Sequence, residues 1–215
     1  MEDASKRIWN RFNMSQVFSG MGESRSIQTF LENNGNRIWW KKGIVWRWQA
    51  IDSQSIAAPV KGEKIGRNPT DRAKNGTKRH IHVDGNGIPI GISLSGANDH
   101  DITKYKECLG SCIIKRPSSK RVVQNICLDK AYDSRDVREY LKQKYIVHIP
   151  ERNNRKQINR EKKRPGRKNA RRWVVERTGA WHNKFRRLKV RYEMKAENYL
   201  AFVMLASAII CLRKL

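Results

Sequence analysis

The chain is short of acidic residues. Its 215 residues contain 20 Asp and Glu against 46 Lys and Arg, which gives a formal net charge of +26 at pH 7. A surface this basic is not what small anionic metabolites require. Its usual partners are nucleic acids or anionic membranes.

Long hydrophobic runs are also absent. The longest predominantly apolar run, Tyr199 to Leu212, has 14 residues, which is too short to span a bilayer and is typical of a buried helix. The N-terminus begins with polar and acidic residues and does not have the pattern of a secretory signal. We therefore expect nucleic acid as the partner and no membrane association.

Cysteine is scarce, and the sequence contains no paired cysteine spacing. Of the four cysteines, Cys108 and Cys112 stand one helical turn apart, and we interpret all four as core thiols. His80 and His82 share one strand face but have no further His or Cys at zinc spacing. Glycine-rich phosphate loops, nucleophile elbows and zinc fingers are absent as well. These features predict a reduced, cytoplasmic, nucleoid-associated protein.

The order of hydrophobic patterns predicts an α/β fold with a mixed sheet flanked by helices. Gly85-Asn86-Gly87 predicts the turn of a hairpin, and Asn98 or Asp99 is a candidate helix cap. The predicted elements are a strand over 45–52, a surface loop over 59–76, hairpin strands over 79–84 and 88–94, a helix over 101–114, a strand over 122–128, a helix from Ser134 to Lys144, a strand over 145–149, a basic segment over 152–169, and helices over 171–190 and 196–212.

Two predicted strands end in a carboxylate. Asp52 follows Trp-Gln-Ala-Ile, and Asp129 follows Ile-Cys-Leu. Ligands of open α/β sheets collect beyond the carboxyl ends of the strands, which favours a functional role for both acids. Each acid by itself is more often a turn or cap residue at a strand end.

The third acid, Glu176, lies in the most basic part of the chain. Residues 151 to 191 contain 17 Lys and Arg but only three acids. On a helix, Glu176 shares a face with Arg172, and the small residues Gly179 and Ala180 leave room beside its carboxylate. An ordinary surface pair between Arg172 and Glu176 is the alternative interpretation.

Three acids from two strands and a later helix match the needs of phosphoryl transfer with two metal ions. Mg²⁺ and Mn²⁺ prefer carboxylate oxygens, and two such ions activate a nucleophile and stabilise a leaving oxygen. The surrounding Lys and Arg residues would contact the phosphate backbone. The spacing between the acids permits this arrangement but does not require it.

Six blocks of sequence resemble one family, the DDE transposases of bacterial insertion sequences, in the branch with a Y–R–E–K signature around its last acid. The resemblance covers about residues 46 to 215. The blocks are Ile51–Ser55, Gly66–Arg72 with Gly76–Arg79, Ser95–Asp101, Leu128–Asp133, Arg171–Thr178 and Phe185–Leu188.

The resemblance implies an RNase H-like catalytic domain over 46–215, preceded by a partial helical segment over 1–45. It implies that Asp52, Asp129 and Glu176 form a catalytic triad that binds two Mg²⁺ or Mn²⁺ ions, with Asp52 as the bridging ligand. The implied reaction is phosphodiester cleavage at the element ends followed by strand transfer. The implied partners are double-stranded DNA, as terminal inverted repeats and as target, and a second copy of the chain in a dimer on DNA.

The resemblance and the charge pattern together suggest a set of DNA contacts. The chain departs from the family pattern at three positions. Asn183 stands at the signature Lys position with Lys184 next to it, Asn169 stands at the signature Tyr position, and Ala131 replaces a usual Gly. The candidate DNA-binding residues are Arg67, Arg72, Lys78, Arg79, Lys130, Arg171, Arg172, Arg177, Lys184, Arg186 and Arg187.

Three other functions remain open from the sequence. The first is a truncated, catalytically inactive transposase remnant that still binds DNA, which the short segment before the domain favours. The second is a general RNase H-like nuclease, which would cleave unrelated duplexes equally well. The third is a basic nucleic-acid-binding protein in which the acids have structural roles.

Overall fold

The computed structural model describes residues 43–112, 114, 116–118, 120–150 and 171–213. Most of the predicted N-terminal helical segment and all of the basic segment over 152–169 lie outside these ranges. The described strands are β1 (Trp48–Ala57), β2 (Gly66–Arg67), β3 (Asn75–Val83), β4 (Pro89–Gly96), β5 (Asn125–Cys127) and β6 (Ile146–His148). The described α-helices are α1 (Asp101–Gly110), α2 (Arg135–Lys142), α3 (Trp173–His182) and α4 (Ala196–Leu212).

The six strands form one mixed sheet with β1 near its centre. β1 pairs antiparallel with β3 and parallel with β5, which in turn pairs parallel with β6. β2 and β4 pair antiparallel with successive parts of β3. The predicted α/β fold is therefore confirmed, with antiparallel strands on one side of β1 and parallel strands on the other.

Successive residues of β1 point to opposite faces of the sheet, and each face has its own core. Ile51 packs with Leu128 and with the apolar side of α1 and α2, through Leu109 and Leu141. Ala50, on the other face, packs in a second cluster whose remaining members are Trp48, Ile81, Val83, Cys127, Val174 and Val175. Since Val174 and Val175 belong to α3, that helix covers the face toward which even-numbered residues of β1 point.

The long helix α4 packs against the antiparallel part of the sheet. Its buried residues Tyr199, Val203 and Ala206 join Leu94 of β4 and Leu188 in a third cluster. The predicted helix over 196–212 is confirmed with the same bounds. None of the helices in the described ranges is both long and apolar enough to span a bilayer.

The predicted strand that ends at Asp52 is too short, because β1 continues five residues further to Ala57. Its parallel pairing with β5 stops at Ala50, but its antiparallel pairing with β3 runs on to Ala57. The predicted strand over 122–128 is reduced to Asn125–Cys127, the residues that pair with both neighbours. The loop predicted over 59–76 contains the short strand β2 and the first residues of β3.

Three predicted helices are shorter than the sequence indicated, and one of them, α2, ends at Lys142 rather than at Lys144. α1 begins after His100, whose side chain does not cap it, so the predicted capping by Asn98 or Asp99 is wrong; it ends at Gly110 rather than at 114. α3 ends at His182 rather than at 190, because Phe185 takes an extended conformation before a 3-10 turn over Arg186–Leu188. This turn buries Leu188, whose carbonyl accepts a hydrogen bond from the Tyr199 hydroxyl at 2.9 Å.

The cap of α2 by Ser134 is confirmed, since Ser134 Oγ accepts a hydrogen bond from the amide of Val137.

The predicted hairpin between β3 and β4 is also confirmed. The carboxylate of Asp84 accepts hydrogen bonds from the amides of Asn86 and Ile88 at 2.9 and 2.8 Å, which fixes the connecting turn. Gly87 has a φ of +83°, a conformation that residues with a side chain rarely adopt. The turn is therefore specified by the Asp and the Gly together.

Candidate active site

The sheet register brings Asp52 and Asp129 to the same level. The last pair of the parallel ladder joins Ala50 of β1 to Cys127 of β5. Asp52 lies two residues beyond Ala50, and Asp129 lies two residues beyond Cys127. Ala50 and Cys127 both point toward α3, so the alternation of side chains directs both carboxylates to that face as well. The two acids converge although Asp52 lies within β1 rather than at its end.

Glu176 reaches this face from the first turns of α3, and three contacts fix the helix there. Val175 packs against the sheet beside it. Thr178 donates a hydrogen bond to the carbonyl of Gly87 at 2.7 Å, and Arg177 donates one to the carbonyl of Asn86 at 2.6 Å. The hairpin turn thus holds the helix that carries the third acid.

Arg172 lies between two of the three acids. Its Nε and Nη2 donate hydrogen bonds to Oε1 of Glu176 at 3.0 and 2.8 Å, and its Nη1 donates to Oδ1 of Asp129. Hydrogen bonding to Glu176 raises the pKa of Arg172 above its usual value. The predicted pair between Arg172 and Glu176 exists, but it is half of a bridge that also holds Asp129.

Asp52 is the most enclosed acid of the three. Burial raises its pKa to about 6, and the neighbouring charges of Asp129 and Glu176 act in the same direction, whereas the amide of Ser53 and the charge of Arg172 oppose the shift. Asp52 and Glu176 line a common cavity of about 250 Å³. Its other lining residues are Ser53, Gln54, Arg79, Ile81, Val175 and Gly179.

A buried guanidinium lies beside this cavity. Arg79 is 0% exposed, and its Nη2 donates to Oε1 of Gln54 at 2.6 Å and to Oδ1 of Asn183 at 3.2 Å. Gln54 is two residues after Asp52 on the same strand face, and Asn183 directly follows α3. Arg79 was predicted to contact DNA, but its burial places it in the interior, where it links the strand of Asp52 to the helix of Glu176.

The three acids carry the oxygen donors that a hard divalent cation requires, but their present arrangement accommodates Arg172. No group of three His, Cys, Asp or Glu side chains within the described ranges is arranged to hold a metal ion. Two of the acids instead bind the same guanidinium, and the charge of that guanidinium also acts on the third. Three carboxylates that converge on one positive group offer the oxygen ligands that Mg²⁺ and Mn²⁺ prefer.

Most of the other predicted DNA contacts lie on the surface. Lys78 is held by Asp101 at 3.0 Å, Arg187 binds Glu193 at 2.6 Å, and the guanidinium of Arg177 stacks between Trp173 and Trp181, 4.7 Å from each ring centroid. The exposed members of the set are Arg67, Arg72, Lys130, Arg171, Lys184, Arg186 and Arg187.

The sequence interpretation missed the roles of Gln54 and Asn183. A signal for Gln54 was present, because it follows Asp52 by the two-residue period of a strand. Asn183 was noted only as a replacement for a signature Lys. No pattern in the sequence indicated that it would accept a hydrogen bond from an arginine 104 residues earlier.

A mixed sheet with two neighbouring aspartates and a glutamate from a packed helix agrees with the triad of acids that the sequence resemblance implied. Residues 47–211 match the family model of the transposase DDE domain. The chain belongs to this family. It is 35% identical over 165 residues to a putative transposase for insertion sequence element IS402 from Burkholderia cepacia, an alignment that covers 75% of this chain and 72% of that protein.

Solved transposase structures show only a slight likeness. The catalytic domain of the Mos1 mariner transposase is 11% identical, with 91% of this chain and 93% of that chain covered and a TM-score of 0.33. A piggyBac transposase synaptic complex with hairpin DNA is 20% identical, with 57% and 27% covered and a TM-score of 0.34.

Proposed function

We propose that the chain catalyses transposition of an insertion sequence by divalent-metal-dependent cleavage and strand transfer at the element ends. The observation that carries the proposal is the convergence of Asp52, Asp129 and Glu176 on one face of the sheet, with Arg172 among them. Membership of the transposase DDE domain family supports the same reaction class.

Asp52, Asp129 and Glu176 would hold two Mg²⁺ or Mn²⁺ ions, which lower the pKa of a bound water and stabilise the charge of the leaving oxygen. In cleavage, a water oxygen forms a bond to phosphorus, the bond from phosphorus to the 3′ oxygen breaks, and that oxygen takes up a proton. In strand transfer, the freed 3′-hydroxyl forms the new bond to a target phosphorus and another 3′ oxygen leaves. Bonds formed and broken balance, so no energy-rich cofactor is needed.

The chain's own residues have distinct tasks in this reaction. The buried position of Asp52 between strands gives it the least freedom of the three acids, which suits a ligand shared by both ions. Glu176 is more exposed and is held by its helix. Arg79, through Gln54 and Asn183, fixes the distance between the strand and the helix that carry these two acids.

The proposed partner is double-stranded DNA, as terminal inverted repeats and as target. The exposed cations, including Lys130, Arg171 and Lys184, would contact its phosphates. We further propose that two copies act together on DNA because two ends must be joined, that the catalytic domain covers 46–215, and that the protein works in the bacterial cytoplasm at the nucleoid.

The test is Mn²⁺-dependent cleavage and strand transfer on a duplex that bears the flanking element end. Glu176→Gln keeps the size of the side chain and removes its charge, so it should abolish both steps. Tight DNA binding without cleavage by the unaltered protein would contradict the proposal and indicate the inactive remnant. Equal cleavage of unrelated duplexes would indicate a general nuclease instead.

A further inference from the structure

The bridge formed by Arg172 has a consequence for metal binding. Arg172 engages Oδ1 of Asp129 and Oε1 of Glu176 with three hydrogen bonds from one guanidinium. Its side chain is 37% exposed, so it lies at the mouth of the site rather than in the core. A planar guanidinium can reach two carboxylates at once, whereas an ammonium group acts as a single point of charge.

The same carboxylates are the ligands assigned above to the metal ions. A divalent ion binds carboxylate oxygen at about 2.0 to 2.2 Å and would carry its two charges into the space beside the guanidinium. Two cations at so short a distance repel each other, and they also compete for the negative charge of Asp129 and Glu176. Arg172 and a divalent ion therefore oppose each other at these two acids.

We propose that Arg172 is an internal competitor for divalent metal, which holds Asp129 and Glu176 until a phosphate group of DNA draws it away. The inference rests on the proposed function, because it takes these two acids as metal ligands. A phosphate is the appropriate ligand for the displaced side chain because arginine binds phosphate and carboxylate with the same paired donors. Coupling of this kind is reciprocal, so DNA and metal each strengthen the binding of the other.

The structure offers a matched control. Arg135 of α2 binds Glu139 with the same spacing of four residues, from Nε to Oε1 at 2.8 Å, and its side chain is 89% exposed. Arg135→Gln removes the same charge and the same type of helix pair as Arg172→Gln. It does so on a helix that carries none of the three acids.

The experiment is a Mn²⁺ titration of the protein without DNA, followed by the electron paramagnetic resonance signal of the free ion. Arg172→Gln should bind Mn²⁺ about tenfold more tightly than the unaltered protein, which corresponds to the loss of two exposed ion pairs. Arg172→Lys should lie between the two, and Arg135→Gln should match the unaltered protein. Unchanged or weaker Mn²⁺ binding by a folded Arg172→Gln variant would overturn the inference.

Asp129→Asn separates this inference from the proposed function. If that substitution leaves Mn²⁺ binding unchanged, Asp129 is not a metal ligand and the proposed function fails together with the inference. If Asp129→Asn weakens binding but Arg172→Gln does not strengthen it, only the inference fails. Urea unfolding of each variant shows that the comparison is made between folded proteins, and Arg172→Lys, which keeps the charge, provides the comparison if the glutamine variant does not fold.

Discussion

Arg79 donates a hydrogen bond to the side-chain oxygen of Asn183 across 104 residues of sequence. This contact joins the antiparallel part of the sheet to the end of the helix that carries Glu176. Arg79 is fully buried, and its Nε and Nη1 have no hydrogen-bond partner within the described part of the chain. A buried guanidinium with so few partners depends on the acceptors Gln54 and Asn183, and on Tyr199, which opposes the lowering of the Arg79 pKa by burial.

Asn183→Lys should destabilise the protein. It replaces an acceptor of Arg79 with a second cation beside a buried guanidinium, and we expect a loss of about 2 to 4 kcal/mol in the free energy of unfolding in urea. The exposed neighbour provides the control, since Lys184→Gln should change stability by less than about 0.5 kcal/mol. Adding Arg79→Gln to Asn183→Lys should recover part of the loss, and no recovery would show that charge repulsion is not the cause.

Gly87→Ala should loosen the contact between the hairpin turn and α3. A Cβ at this position would lie 2.9 Å from Oγ1 of Thr178 and 3.0 Å from Nη2 of Arg177, at a φ of +83°. We expect a loss of about 1 to 3 kcal/mol in stability, together with slower cleavage because the helix that carries Glu176 must shift. Gly110→Ala, where the added Cβ would meet no side chain or neighbouring backbone of the described residues within 4 Å, should cost nothing. Equal effects of the two substitutions would contradict the role of the turn.

Stability should fall as the solution is made acidic below pH 6.5. Burial lowers the pKa of His80 to about 4 and that of His182 to about 3, and it lowers the pKa of His82 well below its usual value. The unfolded chain therefore binds protons first, so the stabilisation is complete above about pH 6.5 and is lost toward pH 4 and below.

Each buried histidine contributes a slope of up to about 1.4 kcal/mol per pH unit within that window. Urea unfolding from pH 7.5 to 4.5 measures the slope. His182→Gln and His80→Gln should reduce it, while His100→Gln at an exposed position should leave it unchanged. A slope that neither buried variant alters would show that other groups cause the pH dependence.

DNA affinity should depend steeply on salt, and single exposed cations should account for measurable parts of the slope. Removing Arg171 and Arg186 together should reduce the slope of log affinity against log salt concentration by about 1.8 on duplex DNA, if each contacts one phosphate. Fluorescence anisotropy with a labelled duplex gives the slope. Arg135→Gln also removes one positive charge and serves as the control. If it reduces the slope by as much as each of the other two substitutions does, only the net charge of the protein matters.

The pairing of the acids shows how far the sequence could predict the site. Asp52 and Asp129 were recognisable because each follows an apolar run, and a resemblance in sequence grouped them with Glu176. That β1 continues past Asp52 was not predictable from alternation alone, because Ser53, Gln54 and Ser55 interrupt the apolar pattern before Ile56. They extend the strand because β3 supplies partners as far as Gly76.

The bounds of α3 illustrate the same limit. Residues 171 to 190 contain no proline and have apolar residues at helical spacing, so the pattern predicts one long helix. The helix ends at His182 because Leu188 has to reach the core beside Tyr199, a demand that arises from tertiary packing. The burial of Arg79 was equally invisible, because a basic residue in a basic chain is expected at the surface.

The position of β1 between antiparallel and parallel partners has a consequence for the order of folding. β1, β3 and β4 lie side by side in the sheet and all belong to residues 48 to 96. Only short loops have to close before these strands pair, so they can pair early. Asp129 and Glu176 belong to segments that must find β1 from 75 or more residues away, which is intrinsically slow. During synthesis residues 48 to 96 are made before either of these acids is translated. The three carboxylates thus meet only when the domain is nearly complete, so a partly made chain lacks the assembled centre to which we assign the cleavage of DNA.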